Sequence, residues 1–423
     1  FAHYYQHLRD LPEATRRHLL RATGATIAGA ALLLALGGVG VRPAFAATIT
    51  VTNGEVAITS NSICSLREAI VNANNDAATH ADCSAGLGAD TISLPSGGVF
   101  SLTDAHNSNY DGLPVISSQI TIQGNGSTIQ RTGGSSLRIL NVNGSGNLTL
   151  NSATISGGSV SGFNSGGGIF NDGTVTVNNS TLSGNTCNFG GGIYSRSGST
   201  LTVNNSTLSG NSATTKGGGI YNYGTVTVNN STLSGNSAGA NGGGIFNNSG
   251  TANVKNSIVA LQTSGADCVG TITSQGYNID SDNSCGFTGT GDQHGVTSVL
   301  LNLGPLANNG GPSPTSTMAL GVGSVAIDKI PDTVNGCVAG VSVDQRYYVR
   351  GVGGTNCDVG AFEVSSTVPT AVRLSSFSAR GSAGGGWAAV LGAGALALAG
   401  GLWRQGRRKK DEGRLCLHIS SFP

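Results

Sequence analysis

Short apolar stretches alternate with Thr and Asn through the middle of the chain. The clearest is Thr225-Val226-Thr227-Val228, in which a period of two places both Val side chains on one face of a β-strand. Gly and Asn bound this stretch and others like it, and both residues favour turns. The pattern therefore predicts an all-β fold built from many short strands.

Two phrases repeat along the chain with a common period. NNSTLSGN begins at Asn178, Asn204 and Asn229, so its copies are 26 and 25 residues apart. Gly-Gly-Ile followed by an aromatic residue recurs with its Ile at positions 169, 193, 220 and 245, which are 24, 27 and 25 residues apart. A unit of this length cannot bury an apolar face alone, so the units must stack. We predict a right-handed parallel β-helix with three short strands per coil, because the blades of a β-propeller need ~40 residues.

Stacking determines which residues lie above one another. Val226, Val228 and Leu233 should lie inside the coil. Their equivalents in the two preceding coils are Val175, Val177, Leu182, Leu201, Val203 and Leu208. Asn185, Asn211 and Asn236 should form a ladder of side-chain amides. Less regular coils are expected at 120–122, 137–142 and 148–150, within a repeat region that covers 90–260.

Residues 47–89 precede the repeats and contain a helix-start signal. In Ser65-Leu66-Arg67-Glu68 the Ser oxygen can accept from the amide of Glu68, whose carboxylate reaches back, and this forms a capping box. An open solenoid end exposes core, so we expect residues 64–74 to form a short helix that caps the first coil. Arg67 and Glu68 are disfavoured as a catalytic pair, since adjacent helical residues point apart. The apolar face of the helix would consist of Leu66, Ala69, Ile70 and Ala73.

The N-terminal residues 1–46 are typical of a signal peptide. Arg16-Arg17 begins a basic region, residues 25–41 are apolar, and Ala44-Phe45-Ala46 is a small-x-small cleavage site. Residues 15–21 resemble the twin-arginine export motif, and the twin-arginine and ordinary secretory routes both fit.

The C-terminal residues predict a membrane anchor. Residues 381–403 are 23 residues without a charge, and as a helix they would span roughly 34 Å, enough for a ~30 Å hydrocarbon core. Trp387 and Trp403 would lie at the two interfaces, and the basic residues that follow would hold this end in the cytoplasm. We predict a linker at 364–386, a transmembrane helix at 387–403 and a cytoplasmic tail at 404–423.

The chain has 8 Cys, which fits export to an oxidising compartment. Their spacing favours three local disulfides, although connectivity stays open from the sequence alone. The favoured pairs are Cys64–Cys83, Cys268–Cys285 and Cys337–Cys357, which leaves Cys187 in a repeat and Cys416 in the tail. The His residues are scattered and there is no CxxC motif, so a zinc site is disfavoured.

Charge is sparse. Asp, Glu, Lys and Arg make up 10% of the residues, against roughly 25% in soluble proteins, and the net charge is +1. Nucleic acid is an unsuitable partner, because phosphate binding needs clustered Lys and Arg. Between positions 139 and 254 the charged residues are Asp172, Arg196 and Lys216, so the predicted wall is almost neutral.

Motifs outside the repeats resemble one group of bacterial surface proteins. Cys-Ser-Leu-Arg-Glu-Ala-Ile at 64–70, followed by 72–74 and 89–92, resembles the CSLREA cap of surface β-helix proteins. Segments within 267–285, 303–312 and 324–328, together with 344–346 and 357–363, are similar to the choice-of-anchor Q domain. The repeats also resemble those of polymorphic outer-membrane proteins. The resemblance covers roughly residues 50–363 and implies a surface β-helix protein, with irregular coils and a closing region at 261–363 and no settled reaction.

These observations favour a non-enzymatic surface protein that acts in adhesion or envelope display. Its expected partners are extracellular glycans or other cell-surface components, with no catalytic residue and no cofactor. The alternative is a polysaccharide lyase or glycoside hydrolase, whose chemistry needs clustered carboxylates. Calcium binding by Asp267, Asp280 and Asp282 stays open, without an EF-hand pattern to support it. Specificity is expected where the period breaks, at 103–112, at Arg196 and Lys216, or beyond Ala260.

Overall fold

The computed structural model describes residues 46–162, 165–312, 315–351 and 356–364. The predicted signal peptide, linker, membrane anchor and cytoplasmic tail lie outside these residues, apart from Ala46 and Val364 at their edges. Within the described ranges, no helix has the length and apolar character needed to cross a bilayer.

The described chain consists of short strands with two helices. The first strands are β1 (Thr48–Thr50), β2 (Asp90–Ser93), β3 (Val99–Leu102), β4 (Gln119–Arg131), β5 (Leu140–Val142), β6 (Asn147–Ser156), β7 (Ile169–Asn171), β8 (Thr174–Asn178), β9 (Thr181–Ser183), β10 (Thr186–Phe189), β11 (Ile193–Ser195), β12 (Thr200–Asn204) and β13 (Thr207–Ser209). They continue as β14 (Ser212–Lys216), β15 (Ile220–Asn222), β16 (Thr225–Asn229), β17 (Thr232–Ser234), β18 (Ser237–Ala238), β19 (Ile245–Asn247), β20 (Thr251–Lys255), β21 (Ile258–Ala260), β22 (Cys268–Val269), β23 (Thr273–Ser274), β24 (Ile279–Asp280), β25 (Leu303–Ala307) and β26 (Thr317–Leu320). The helices are α1 (Leu66–Asn75) and α2 (Ser298–Leu301).

Most strands stack into four parallel ladders, while β25 and β26 form a separate antiparallel pair. We call the four ladders the aromatic wall (β5, β7, β11, β15, β19, β22), the valine wall (β8, β12, β16, β20, β23), the threonine wall (β9, β13, β17, β21, β24) and the short wall (β10, β14, β18). The long strands β4 and β6 run through both the valine and the threonine walls. Together the coils form a parallel β-solenoid of about 7 turns, as predicted.

The expectation of three strands per coil is wrong for the central coils. The short wall adds a fourth strand, with Thr186 beside Ser212 and Ser212 beside Ser237. Its strands read TCNF, SATTK and SA, which have neither a shared apolar alternation nor a shared length. Backbone pairing and polar side-chain contacts, such as the one from Oγ of Ser237 to Oγ of Ser212 at 3.0 Å, hold this wall, so no apolar pattern marked it in the sequence.

The core consists of apolar residues in register. Leu201 lies between Val175 and Val226, and Val203 lies between Val177 and Val228. On the threonine wall Leu208 lies between Leu182 and Leu233. All of these side chains are fully buried, which confirms the predicted stacking.

The predicted asparagine ladder is present and fully buried. Nδ2 of Asn185 donates to Oδ1 of Asn211 at 2.9 Å, and Nδ2 of Asn211 donates to Oδ1 of Asn236 at 3.0 Å. The same amide of Asn211 also donates to the carbonyl oxygen of Leu182 at 2.9 Å. Each amide is therefore satisfied by groups of the neighbouring coils.

A second ladder, of buried serines, was not predicted. The backbone N–H of Ser180 donates to Oγ of Ser206, and that of Ser206 donates to Oγ of Ser231, each at 3.1 Å. The Asn before each serine turns the chain with a positive φ, 44° at Asn205 and 46° at Asn230, which Asn tolerates better than most residues. The second Asn, the first Ser, the Leu and the last Asn of NNSTLSGN thus each have a structural role.

The helix predicted near the N-terminus forms at Leu66–Asn75. Oγ of Ser65 accepts from the N–H of Glu68, and the Glu68 carboxylate accepts from the N–H of Ser65, so the capping box is confirmed. Its four predicted apolar residues are buried in the same cluster as the solenoid core.

Segments within 315–351 and 356–363 lie along the threonine wall. Nε2 of Gln345 donates to Oγ1 of Thr181 at 2.9 Å, and Oγ1 of Thr207 donates to Oε1 of Gln345 at 2.6 Å. The N–H of Ala361 donates to Oγ1 of Thr232 at 3.0 Å. The outward-facing threonines are consequently buried, and we call the described residues 315–351 and 356–363 the return segment.

The return segment contains buried ion pairs. Arg350 lies 3.3 Å from Glu363, and Arg346 pairs with Asp344. Burial, together with the nearby Glu363 carboxylate, raises the pKa of Asp358 to about 7. Burial also raises the pKa of Glu363, although Arg350 opposes that shift.

Three disulfides join the predicted pairs, Cys64–Cys83, Cys268–Cys285 and Cys337–Cys357. The pairing confirms the choice that spacing favoured. Cys187 lies outside these disulfides and is buried.

Asn211→Ala should destabilise the protein strongly, because it leaves buried donors and acceptors in two neighbouring coils without partners. Each such group costs about 1–3 kcal/mol, so we expect a loss of at least ~2 kcal/mol in the free energy of unfolding, measured with denaturant. Asn204→Ala is the matched control, since Asn204 makes the same ladder bonds at a half-exposed position where water can replace them. Equal losses in the two variants would contradict this account.

Stability should fall as pH rises from about 5 to about 8. The pKa of Asp358 is raised from 3.8 to about 7 in the folded state, so folding favours the protonated form. The stabilisation is complete below the unfolded pKa and is lost as pH passes the folded one. Asp358→Asn should reduce the pH dependence of the unfolding temperature, whereas Asp172→Asn on the exposed wall should retain it. A wild-type unfolding temperature that rises over this interval would contradict the prediction.

Candidate binding site

The aromatic wall carries a column of stacked rings. In β7, β11, β15 and β19 the residue after the buried Ile lies on the outer side of the wall, and these residues are Phe170, Tyr194, Tyr221 and Phe246. Their ring centroids are 5.4, 5.3 and 5.1 Å apart, with interplanar angles of 9°, 15° and 18°. The spacing follows from the ~4.8 Å separation of paired strands.

The two ends of the column carry cations. The Arg138 guanidinium lies 5.0 Å from the centroid of Phe170, and the Lys216 ammonium lies 4.8 Å from that of Phe246. Stacking within the column covers the faces of the inner rings, and a cation near an aromatic face is stabilised by the ring quadrupole. The column therefore presents the edges of its rings to a ligand. A flat ligand can stack only on an aromatic ring that lies next to the column.

A small cleft lies against the middle of the column. It has a volume of about 230 Å³ and is lined by Ser165, Phe189, Tyr194, Tyr221 and Tyr223. Tyr223 is 37% exposed, and its ring centroid lies 5.1 Å from that of Tyr221. Burial and the neighbouring Tyr223 raise the pKa of Tyr221, so its hydroxyl stays protonated. We call this the tyrosine cleft.

A larger cleft adjoins it and shares Ser165. Its volume is about 390 Å³, within the range of small-molecule sites. We call it the arginine cleft, and its lining residues are Ser108, Asn109, Tyr110, Arg138, Asn141, Ser165 and Phe170. Three of these residues belong to 103–112, so this predicted break in the period does form part of a cleft.

A buried ion pair holds the arginine cleft together. Nε of Arg138 lies 3.0 Å from Oδ1 of Asp111, and Nη1 donates to the carbonyl oxygen of Ser165 at 2.9 Å. Asp111 is fully buried and accepts from Nδ2 of both Asn107 and Asn141. Burial lowers the pKa of Arg138, and the Asp111 carboxylate opposes that shift.

The other residues singled out from the sequence have different positions. Lys216 is at the far end of the column, as described. Arg196 instead pairs with Asp172 at 2.9 Å, and its side chain is 59% exposed. Neither Arg196 nor Asp172 lines either cleft.

The acidic residues beyond Ala260 hold loops together. Asp267 accepts from the N–H and Oγ of Ser281, each at 2.6 Å, and Asp282 accepts from the N–H of Asp267 at 3.0 Å. Burial, reinforced by the Asp282 charge, raises the pKa of Asp267 to about 6. Across the described residues, no group of three or more His, Cys, Asp or Glu is placed to hold a metal ion. The structure thus gives no support to the calcium hypothesis at Asp267, Asp280 and Asp282.

One signal of this site is present in the sequence. An aromatic residue follows the repeated Ile in all four copies, at 170, 194, 221 and 246, which predicts a column on any stacked fold. Arg138 and Asp111 had no such signal, because they lie in irregular coils and meet through tertiary contact.

Comparison with known proteins finds no matching family model, no matching curated protein and no matching solved structure. The fold and the site geometry are therefore the basis for any functional conclusion.

Proposed function

We propose that this protein is an exported, membrane-anchored surface protein that binds glycans through the aromatic wall, for adhesion or envelope display. The observation that supports this most directly is the pair of adjoining clefts on that wall, lined by tyrosines, asparagines and serines. Aromatic rings pack against the C–H faces of sugars, while amides and hydroxyls satisfy sugar hydroxyls.

The charge of the wall also fits such a ligand. Asp172 and Arg196 neutralise one another, and Arg138 is neutralised by Asp111. Lys216, beside Phe246, adds a single positive charge, which falls short of the clustered cations that nucleic acid requires. Its affinity for a glycan would come from hydrogen bonds and ring contacts.

The N-terminal and closing motifs belong to the same proposal. We assign α1 as the cap of the first coil, since its apolar face joins the solenoid core. The resemblance to CSLREA and choice-of-anchor Q proteins also supports a surface location. In this proposal a signal peptide at 1–46 directs export and an anchor at 387–403 holds the protein in the membrane. The three disulfides favour an oxidising compartment.

A polysaccharide-cleaving enzyme is the competing function. Its general acid and base would have to be carboxylates that reach the substrate. Among the described residues that line the two clefts there is no Asp or Glu, and Asp111 behind Arg138 is fully buried. These features favour binding over cleavage.

Tyr223→Ala should weaken glycan binding by about tenfold or more, because it removes the exposed ring of the tyrosine cleft. The full-length protein would be screened on an array of oligosaccharides, and the affinity of each hit measured for wild type and variant. Tyr223→Phe keeps the ring and should bind nearly as wild type, and Val322→Ala is a control at a 98% exposed position outside both clefts. New reducing or unsaturated ends in the same mixtures would establish the enzyme instead.

Protease treatment of intact cells should release the solenoid from the cell surface. The expectation follows from the predicted linker at 364–386 between the folded body and the anchor. Fragments ending near this linker would be identified by mass spectrometry. Recovery of the untreated protein from the medium with residues 404–423 intact would contradict the anchor.

A further inference from the structure

Arg138 has hydrogen-bonding capacity that the described protein does not use. Its side chain is almost completely buried, with 7% of the residue exposed. One N–H, on Nη1, donates to Ser165. The Nε–H is 3.0 Å from Asp111 but is not directed at the carboxylate, so that contact is an ion pair without a hydrogen bond. Nη2 has no acceptor among the described residues, and unlike Nε it is not a buried atom, so it can donate to a group that enters the cleft.

Acceptors lie beside these donors. Nδ2 of Asn141 lies 3.1 Å from each carboxylate oxygen of Asp111, so this amide nitrogen donates to Asp111, and Oδ1 of Asn141 is the acceptor on the same side chain. Ser108 and Tyr110 add hydroxyls that donate and accept. Donors and acceptors side by side match a hydroxyl group, which does both, whereas a carboxylate or phosphate only accepts.

The charges around the cleft are already balanced. Asp111 neutralises Arg138, and Asp104 lies 3.4 Å from Arg67 behind the same loop. A bound anion would therefore lie close to the buried Asp111 carboxylate without a cation of its own, and like charges in a low-dielectric site repel. The cleft favours a neutral ligand.

A rigid ring stands at the rim. Tyr110 is 44% exposed and has a φ of 64°, a conformation that is uncommon for an aromatic residue. Asn107 holds this conformation, because its Oδ1 accepts from the N–H of Asn109 at 2.9 Å and from that of Asp111 at 3.3 Å. Strain maintained in this way is typical of ligand-binding positions.

We propose that the arginine cleft is a subsite for a neutral sugar residue, with Arg138 donating to its hydroxyl oxygens, Asn141 accepting from a hydroxyl, and Tyr110 packing on its ring. This rests on the proposed function, since it gives the ligand class for one of its two clefts. The shared Ser165 places the subsite next to the tyrosine cleft, so one oligosaccharide could occupy both.

The test compares neutral and acidic ligands on the full-length protein. The probes are neutral gluco-, manno-, galacto- and xylo-oligosaccharides, together with oligogalacturonate as the free acid and as its methyl ester, which differ in charge and in one methyl group per sugar. We expect at least one neutral oligosaccharide to bind, with an affinity that salt does not change. The methyl ester should bind about tenfold or more tighter than the free acid.

Two variants assign the binding to this cleft. Tyr110→Gly removes the ring and suits the positive φ, so the fold should be retained while affinity falls about tenfold. Arg138→Lys keeps the ion pair with Asp111 but loses the fork of donors, and it should weaken neutral ligands similarly. Tyr110→Phe is the matched control and should stay within about threefold of wild type. If Arg138→Lys fails to fold, Tyr110→Gly still decides the question.

Three results would overturn the proposal. Tighter, salt-sensitive binding of the free acid would show that the cleft selects an anion. Neutral binding that Tyr223→Ala abolishes but Tyr110→Gly and Arg138→Lys leave unchanged would remove the subsite and keep the proposed function. Absence of binding to every glycan probe would remove both.

Discussion

The structure depends on the requirement that every coil superimpose on its neighbours residue by residue. Paired strands are ~4.8 Å apart, so backbone groups and side chains at equivalent positions meet directly. Burying a polar amide such as that of Asn211 would be unfavourable without hydrogen-bond partners. The coils on both sides supply them, because each presents the same amide in the same place. The same requirement repeats the outward-facing position after each Ile, and the aromatic column is its result on the surface. Scaffold and candidate site thus share one origin.

Local repetition was readable from the sequence, and long-range contact was not. The period, the valine and leucine stacks, the asparagine ladder and the capping box each depend on neighbours a few residues or one repeat away. The short wall escaped prediction because its strands share neither an apolar alternation nor a length. The return segment escaped because Gln345 finds Thr181 and Thr207 across more than a hundred residues, and no period links them. At the candidate site, residues 103–112 were correctly expected to depart from the repeat. Their contact with Arg138 could not be predicted from the sequence, because it depends on the tertiary fold.

The candidate site combines a regular surface with an irregular one. The stacked rings are fixed by the coils, so ordering them costs a ligand little conformational entropy. The loop at 103–112 adds the features a repeat cannot supply, an exposed ring and a buried ion pair at a single place. A uniform wall would offer a ligand the same contacts along its whole length. The combination of the ring column with the loop at 103–112 makes one end of the wall different from the rest. Specificity on a repetitive scaffold arises where a unique segment meets it.

The return segment changes how a stack of this kind can come apart. In a solenoid each coil normally contacts only its neighbours, so ends fray and partial arrays survive. Here Tyr347 reaches Ser152, 195 residues earlier, while Gln345 and Ala361 hold coils between them. Loss of one inner coil would also release this tie, so we expect the array to unfold in a single cooperative transition. During folding, the return segment would dock last, because the residues that it contacts are brought together only after the coils have stacked.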